Sequence, residues 1–169
     1  MQWTKAQLLR APQSKVDFDE DVTVDPSAFH GNVRISGTKN IHVSGEGFFE
    51  PETDRFYADL HITGTILCPD AITGREVEVP MDTETEEVYS FQQSDEDGVR
   101  IVTDEVIELM PAVAQAILLE TPLQVIRASR DEYPQGEGWK VYTEEDYEAS
   151  RKDQIDPRLA KLKDFKEEK

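Results

Sequence analysis

The stretch "NIHVSGEGFFEPETDRFYADLHITGTILC", residues 40–68, decides the fold. Ile41, Val43 and Phe49 fall at odd positions, whereas Phe56, Ala58, Leu60, Ile62, Ile66 and Cys68 fall at even ones. A period of two marks half-buried strands, because successive side chains leave a strand on opposite faces. Between the two runs stands "PETD", residues 51–54, a four-residue loop that closes Glu50 on Arg55. That register sets Phe49 against Phe56, Gly47 against Ala58, Gly45 against Leu60, Val43 against Ile62 and Ile41 against Gly64. Every pair on that face is apolar or small. The other face carries His42, Ser44, Glu46 and Phe48 against Thr63, His61, Asp59 and Tyr57. A slip of one residue would mix the two faces, so the pattern itself argues for this register.

Working downstream, the loop "PDAITG", residues 69–74, with Cys68 opposite Arg75, places Ile66 against Val77, Gly64 against Val79 and Ile62 against Met81. A three-stranded antiparallel meander is expected. Glycines 45, 47 and 64 lie on its buried face, where they mark bulges, bends or the close approach of another element. Upstream, "VDFDEDVTVD" alternates apolar and acidic residues and reads as an edge strand or extended arm. Trp3, Leu8 and Leu9 of "MQWTKAQLLR" suit a short amphipathic element.

Beyond Met81, "DTETEEVYSF" reads as a further strand, and "QQSDEDG" as a loop with a turn at Asp97-Gly98. Val99, Ile101, Val106, Ile107 and Leu109 follow. Pro111 then suits the first turn of a helix over about residues 111–120 that Thr121-Pro122 ends and that is expected to cover the meander. The fold class is therefore α+β. Residues 1–126 form the β domain, 127–138 a polar loop or hinge, and 139–169 a C-terminal segment. In that segment Asp156 reads as an N-cap before Pro157, and Leu159, Leu162 and Phe165 recur every three residues, which predicts an amphipathic helix over about 157–167.

Charge is the strongest global signal. The 169 residues include 18 Lys or Arg and 36 Asp or Glu, a formal net charge of −18. Residues 1–126 hold 8 basic and 24 acidic side chains, whereas 127–169 hold 10 and 12. Such a surface repels phosphate backbones, disfavours direct nucleic-acid binding and favours a basic protein partner. No run of 18 apolar residues and no signal-peptide pattern occurs, so a soluble, cytoplasmic protein is expected.

Little here resembles catalytic apparatus. There is no phosphate loop and no nucleophile with its base and orienting group, so no enzyme and no cofactor are expected. The single Cys68 reads as a small, inert hydrophobe in line with Ile62 and Ile66. His42 and His61 are diagonal neighbours near Glu46, a set able to hold a transition metal if it converged. Exposed histidines on a polar face are the commoner case, and no metal is expected.

Three passages resemble the YceD family of bacterial large ribosomal RNA subunit accumulation proteins: "LHITGTILCPDAITGREVEVPMDTETEEVYSF", "IELMPAVAQAILLETPL" and "IDPRLAKLKDF", the last preceded by "GWKVYTEEDY". The resemblance spans nearly the whole chain. It implies a non-enzymatic factor for 23S ribosomal RNA accumulation and large-subunit assembly. Many members of the family carry a second cysteine three positions beyond that of Cys68, with two residues between them, which suggests a zinc site in those relatives. Ala71 stands there in this chain.

Two modes of action are open at this level. One is capture of a basic ribosomal protein or pre-ribosomal particle by an acidic β face containing Glu84, Glu86 and Glu87, with Asp156, Arg158, Leu159 and Leu162 of the terminal helix as further contacts. The other is contact with ribosomal RNA through Arg151, Lys152, Arg158, Lys161 and Lys163. The acids interleaved among those cations rank it second.

Overall fold

The structure, a computed structural model, describes residues 1–153, with side chains through residue 149. It divides into two compact units, Met1–Arg127 and a second that begins at Ala128. The first is built on a five-stranded sheet. Its long strands are β2 (Lys15–Val22), β3 (Gly37–Glu50), β4 (Arg55–Pro69) and β5 (Glu76–Ser90), and a short β6 (Val99–Ile101) follows. They lie in the order β2-β3-β4-β5-β6. β1 (Gln2–Thr4) and β7 (Val106–Glu108) make a separate antiparallel pair, and α1 (Lys5–Arg10) and α2 (Met110–Glu120) are the unit's helices.

The β3–β4 hairpin has the register that its alternation predicts. Glu50 pairs with Arg55, Phe49 with Phe56, Gly47 with Ala58, Gly45 with Leu60 and Val43 with Ile62. The predicted Ile41–Gly64 pair does not form, because the ladder shifts between Lys39 and His42. Asn40 takes φ 51° there, and a Cβ on Gly64 would stand 2.6 Å from Cδ1 of Ile41, so a bulge occupies the position. Gly47 marks a close approach: an added Cβ would lie 2.2 Å from the Phe56 ring.

The next register departs from expectation by two residues. Cys68 pairs with Val77 and Ile66 with Val79, not with Arg75 and Val77. The cause is a tighter turn. The Asp70 carboxylate accepts hydrogen bonds from the Ile72 and Thr73 N–H groups at 2.9 and 2.8 Å, and Asp70 N–H donates to the Arg75 carbonyl. A slip of two preserves which face each side chain takes, so the predicted core survived the error. The strand expected over "DTETEEVYSF" is also continuous with the one before it, forming the 15-residue β5.

The sheet is mixed rather than wholly antiparallel, since β6 runs parallel to the end of β5, with Val88 opposite Val99 and Ser90 opposite Ile101. After β5 the chain arches back. Arg55 holds the arch through a 2.7 Å ion pair to Glu96, and Gly98 at φ 83° supplies the turn that lets β6 enter in the same direction. Three residues are too few for alternation to reveal a strand's direction.

On the core face Phe49, Phe56, Leu60, Ile62 and Ile66 are at most 2% exposed. Each such side chain contributes about 1.5–3 kcal/mol relative to an exposed one. Val113, Ala116 and Ile117 of α2 belong to the same apolar cluster, and the helix contacts β5. Pro111 sits in its first turn, where a missing N–H costs no intrahelical bond, and Thr121 Oγ1 donates to the Ile117 carbonyl at its end. Trp3 lies 5.7 Å from the Phe18 ring and 6.1 Å from Phe56, tying the N-terminal pair to the sheet.

In the second unit the stretch read as a loop, 127–138, holds a 3-10 turn at Arg130–Glu132 and β8 (Gln135–Gly136), which pairs with β9 (Trp139–Lys140) just beyond it. α3 (Glu144–Asp153) follows, a helix not anticipated. Thr143 starts it, its Oγ1 accepting from Asp146 N–H at 3.1 Å, with Glu144, Glu145 and Asp146 in the first turn. The helix expected over 157–167 lies outside the described residues.

Candidate functional site: an acidic sheet face

Strand alternation and register together build the site. Facing away from the core, β2 presents Asp17, Asp19 and Asp21, β3 His42, Ser44 and Glu46, β4 Asp59, His61 and Thr63, and β5 Asp82, Glu84 and Glu86. Read across the strands, one row is made of carboxylates alone. Asp17 pairs with Glu46, Glu46 with Asp59, and Asp59 with Glu86. Like charges directly opposite one another destabilise a sheet, and here three such pairs stand in line. Among the described residues no Lys, Arg or His forms an ion pair with any of the four.

The row crosses an open concavity of about 580 Å³ whose wall includes Ser44, His61 and Glu84. The Gly45 backbone also lines it, and a Cβ there would meet the Phe18 ring on the core side at 2.9 Å. A ring-bearing border adjoins: Phe48 and Tyr57 are paired across the strands, 39% and 37% exposed. Together these make a broad anionic basin with an aromatic edge, suited to cationic side chains with planar or extended heads.

The predicted site residues separate. Glu84 and Glu86 are exposed on this face. Glu87 has opposite parity: its carboxylate takes the Arg100 Nε–H at 2.6 Å, with only 13% of its side chain exposed. Arg100 in turn donates to the Gln115 amide oxygen of α2, so Glu87 ties strand to helix. The Glu87 hydrogen bond raises the Arg100 pKa. Asp156, Arg158, Leu159, Leu162, Lys161 and Lys163 lie outside the described residues, and Arg151 and Lys152 fall where only the backbone is described.

The two histidines do not converge. His42 Nδ1 lies 2.9 Å from Asp21 and its Nε2 3.3 Å from Asp19, whereas His61 turns the other way to Asp82 at 2.7 Å. Among the described residues no group of three or more His, Cys, Asp or Glu side chains is placed to hold a metal. Cys68 is buried and unpaired, and burial pushes its thiol pKa up, away from a reactive thiolate. Beside it the buried Asp70 also accepts a hydrogen bond from Arg127 N–H, fastening the segment after α2 to the β4–β5 turn.

Alternation alone places Glu46 opposite Asp59 but does not reach the rest of the row. Asp17 required the pairing of β2, and Glu86 required the two-residue correction at the Asp70 turn. The alternation of acids in "VDFDEDV" was the available signal.

The matching family model covers residues 58–166 and is described as large ribosomal RNA subunit accumulation protein YceD. The chain belongs to the YceD family. It is also 35% identical over 169 aligned residues, covering 96% of this chain and 94% of the relative, to a Bacillus subtilis (strain 168) protein named uncharacterized protein YlbN. No solved structure matches the chain. The family is described by ribosomal RNA accumulation and not by a catalysed reaction. Among the described residues no helix is long and apolar enough to cross a membrane.

Proposed function

We propose that this YceD-family chain is a non-enzymatic ribosome-biogenesis factor that supports 23S ribosomal RNA accumulation and large-subunit assembly by holding a basic ribosomal protein on its acidic sheet face. The observation that carries this reading is the unpaired row Asp17–Glu46–Asp59–Glu86. A sheet that sets four carboxylates in line carries a repulsion that a docked Lys- or Arg-rich surface relieves. The same field steers a cationic partner into encounter and weakens as salt screens it. Phosphate backbones meet repulsion there, so the influence on ribosomal RNA is indirect, exerted through the protein that binds it.

The test is a pull-down from lysate with the purified chain as bait, at low and high salt and with or without nuclease, read by mass spectrometry. The expected result is enrichment of one or a few basic large-subunit proteins that survives nuclease and fades with salt. Loss of all ribosomal material on nuclease treatment would transfer the role to RNA contact and overturn the acidic-face reading.

A further inference from the structure

β5 is an edge strand over most of its length. β6 pairs only with Val88–Ser90, and among the described residues no strand neighbours the outer side of residues 76–87. Main-chain polar groups of successive residues in an antiparallel strand point alternately to the two sides. The Arg75 carbonyl accepts from Asp70 N–H on the β4 side, whereas the Ser90 carbonyl accepts from Val102 N–H on the far side. Odd-numbered residues therefore bond β4, and even-numbered residues point outward. Pro80 is even, so its missing N–H falls on the outer side, where an edge strand tolerates proline. Past it, the N–H and C=O groups of Asp82, Glu84 and Glu86 face out, and among the described residues no hydrogen bond meets them.

This open edge has a defined chemistry on both of its faces. Asp82, Glu84 and Glu86 stand on the solvent side at every second residue, all exposed. A strand laid alongside would bring its own alternate side chains to about 4.5–5.5 Å from them, a spacing that suits Lys or Arg. Its intervening side chains would face inward, beside Thr83, Thr85 and α2. There Gln115 is engaged by Arg100 of β6, but Leu119, one turn further along the same helix stripe, is 77% exposed. Where β6 stops, an apolar side chain of the helix is left uncovered.

Building on the basic-partner reading above, we propose that the Asp82–Glu86 edge of β5 is a strand-addition site for an extended segment in which Lys or Arg alternates with apolar residues. Main-chain hydrogen bonds to Asp82, Glu84 and Glu86 supply the register, the carboxylates select the cations, and Leu119 selects the apolar positions.

The experiment uses the full chain and three synthetic peptides of one composition. One alternates Lys with Val, one gathers the lysines in a block, and one alternates but is N-methylated at each Lys, which keeps the charge and removes the main-chain donors. Affinity is measured by titration calorimetry and amide exchange by NMR. The alternating peptide is expected to bind, to slow exchange at the amides of Asp82, Glu84 and Glu86, and to lose about tenfold or more in affinity on N-methylation, as the loss of several hydrogen bonds implies. Equal affinity for all three, with shifts at Asp17, Glu46 and Asp59 instead, would overturn strand addition while leaving the acidic-face reading intact. Failure of every peptide to bind at low salt would overturn both. Protection of the three amides that grows with protein concentration and needs no peptide would assign the edge to a second copy of the chain and overturn the basic-segment proposal.

Discussion

Gly47 shows how one residue on the alternating face became legible in position but not in purpose. Parity put it on the core side, yet only the folded hairpin shows the Phe56 ring 2.2 Å from where a Cβ would be. Gly47→Ala is expected to destabilise the chain by about 1–3 kcal/mol through overpacking, measured as a lower urea midpoint at unchanged slope. Cys68 was readable in both respects, because its parity with Ile62 and Ile66 predicted burial and burial predicts inertness. A soluble disulfide reagent should therefore modify Cys68 in the native protein far more slowly than in denaturant, and rapid labelling of the native chain would contradict that placement. Tyr89 has a pKa pushed up to about 12 by burial, against an unfolded value near 10, and its hydroxyl donates to the Glu108 carbonyl. Because the unfolded chain loses this proton first, stability is expected to fall as pH rises from about 10 to 12, and Tyr89→Phe should flatten that fall in pH-dependent unfolding measurements.

Among the elements, β5 carries the clearest contrast. Its residues alternate between an exposed anionic face and a face joined to α2, and adjacent acids accordingly have different jobs. Glu87→Gln breaks a largely buried ion pair with Arg100 and should cost about 1–2 kcal/mol, partial exposure of Arg100 tempering the loss. Glu84→Gln, in contrast, should leave thermal stability unchanged or slightly higher, since it removes a like charge from a crowded face. Equal losses from the two would contradict the assignment of faces. Strand periodicity made the β3–β4 register legible from Val43–Ile62 to the hairpin turn, but not the bulge between Lys39 and His42 that shifts the ladder beyond it. It could not see the Asp70 carboxylate tightening the next turn, nor that β6, with three residues, runs parallel. α3 was legible in principle from Thr143 and the three acids behind it, but its sparse apolar residues offered no stripe to read.

At the scale of the molecule, a net charge of −18 announced an anionic protein but not where its charge acts. That required the sheet order, which lines Asp17, Glu46, Asp59 and Glu86 across four strands that are distant in sequence. Composition bounded the class of partner, alternation supplied the face, and pairing supplied the row. A row that holds a basic protein must lose its grip when its carboxylates are neutralised. The direct test compares, by calorimetry at low salt, the affinity of the unaltered chain and of its Asp17→Asn, Glu46→Gln, Asp59→Asn, Glu86→Gln variant for whichever basic large-subunit protein the pull-down enriches. Unfolding curves serve as the control for fold. A basic protein held on the row predicts a drop of about tenfold or more in a variant that is at least as stable as the parent. Undiminished affinity in that folded variant would contradict it.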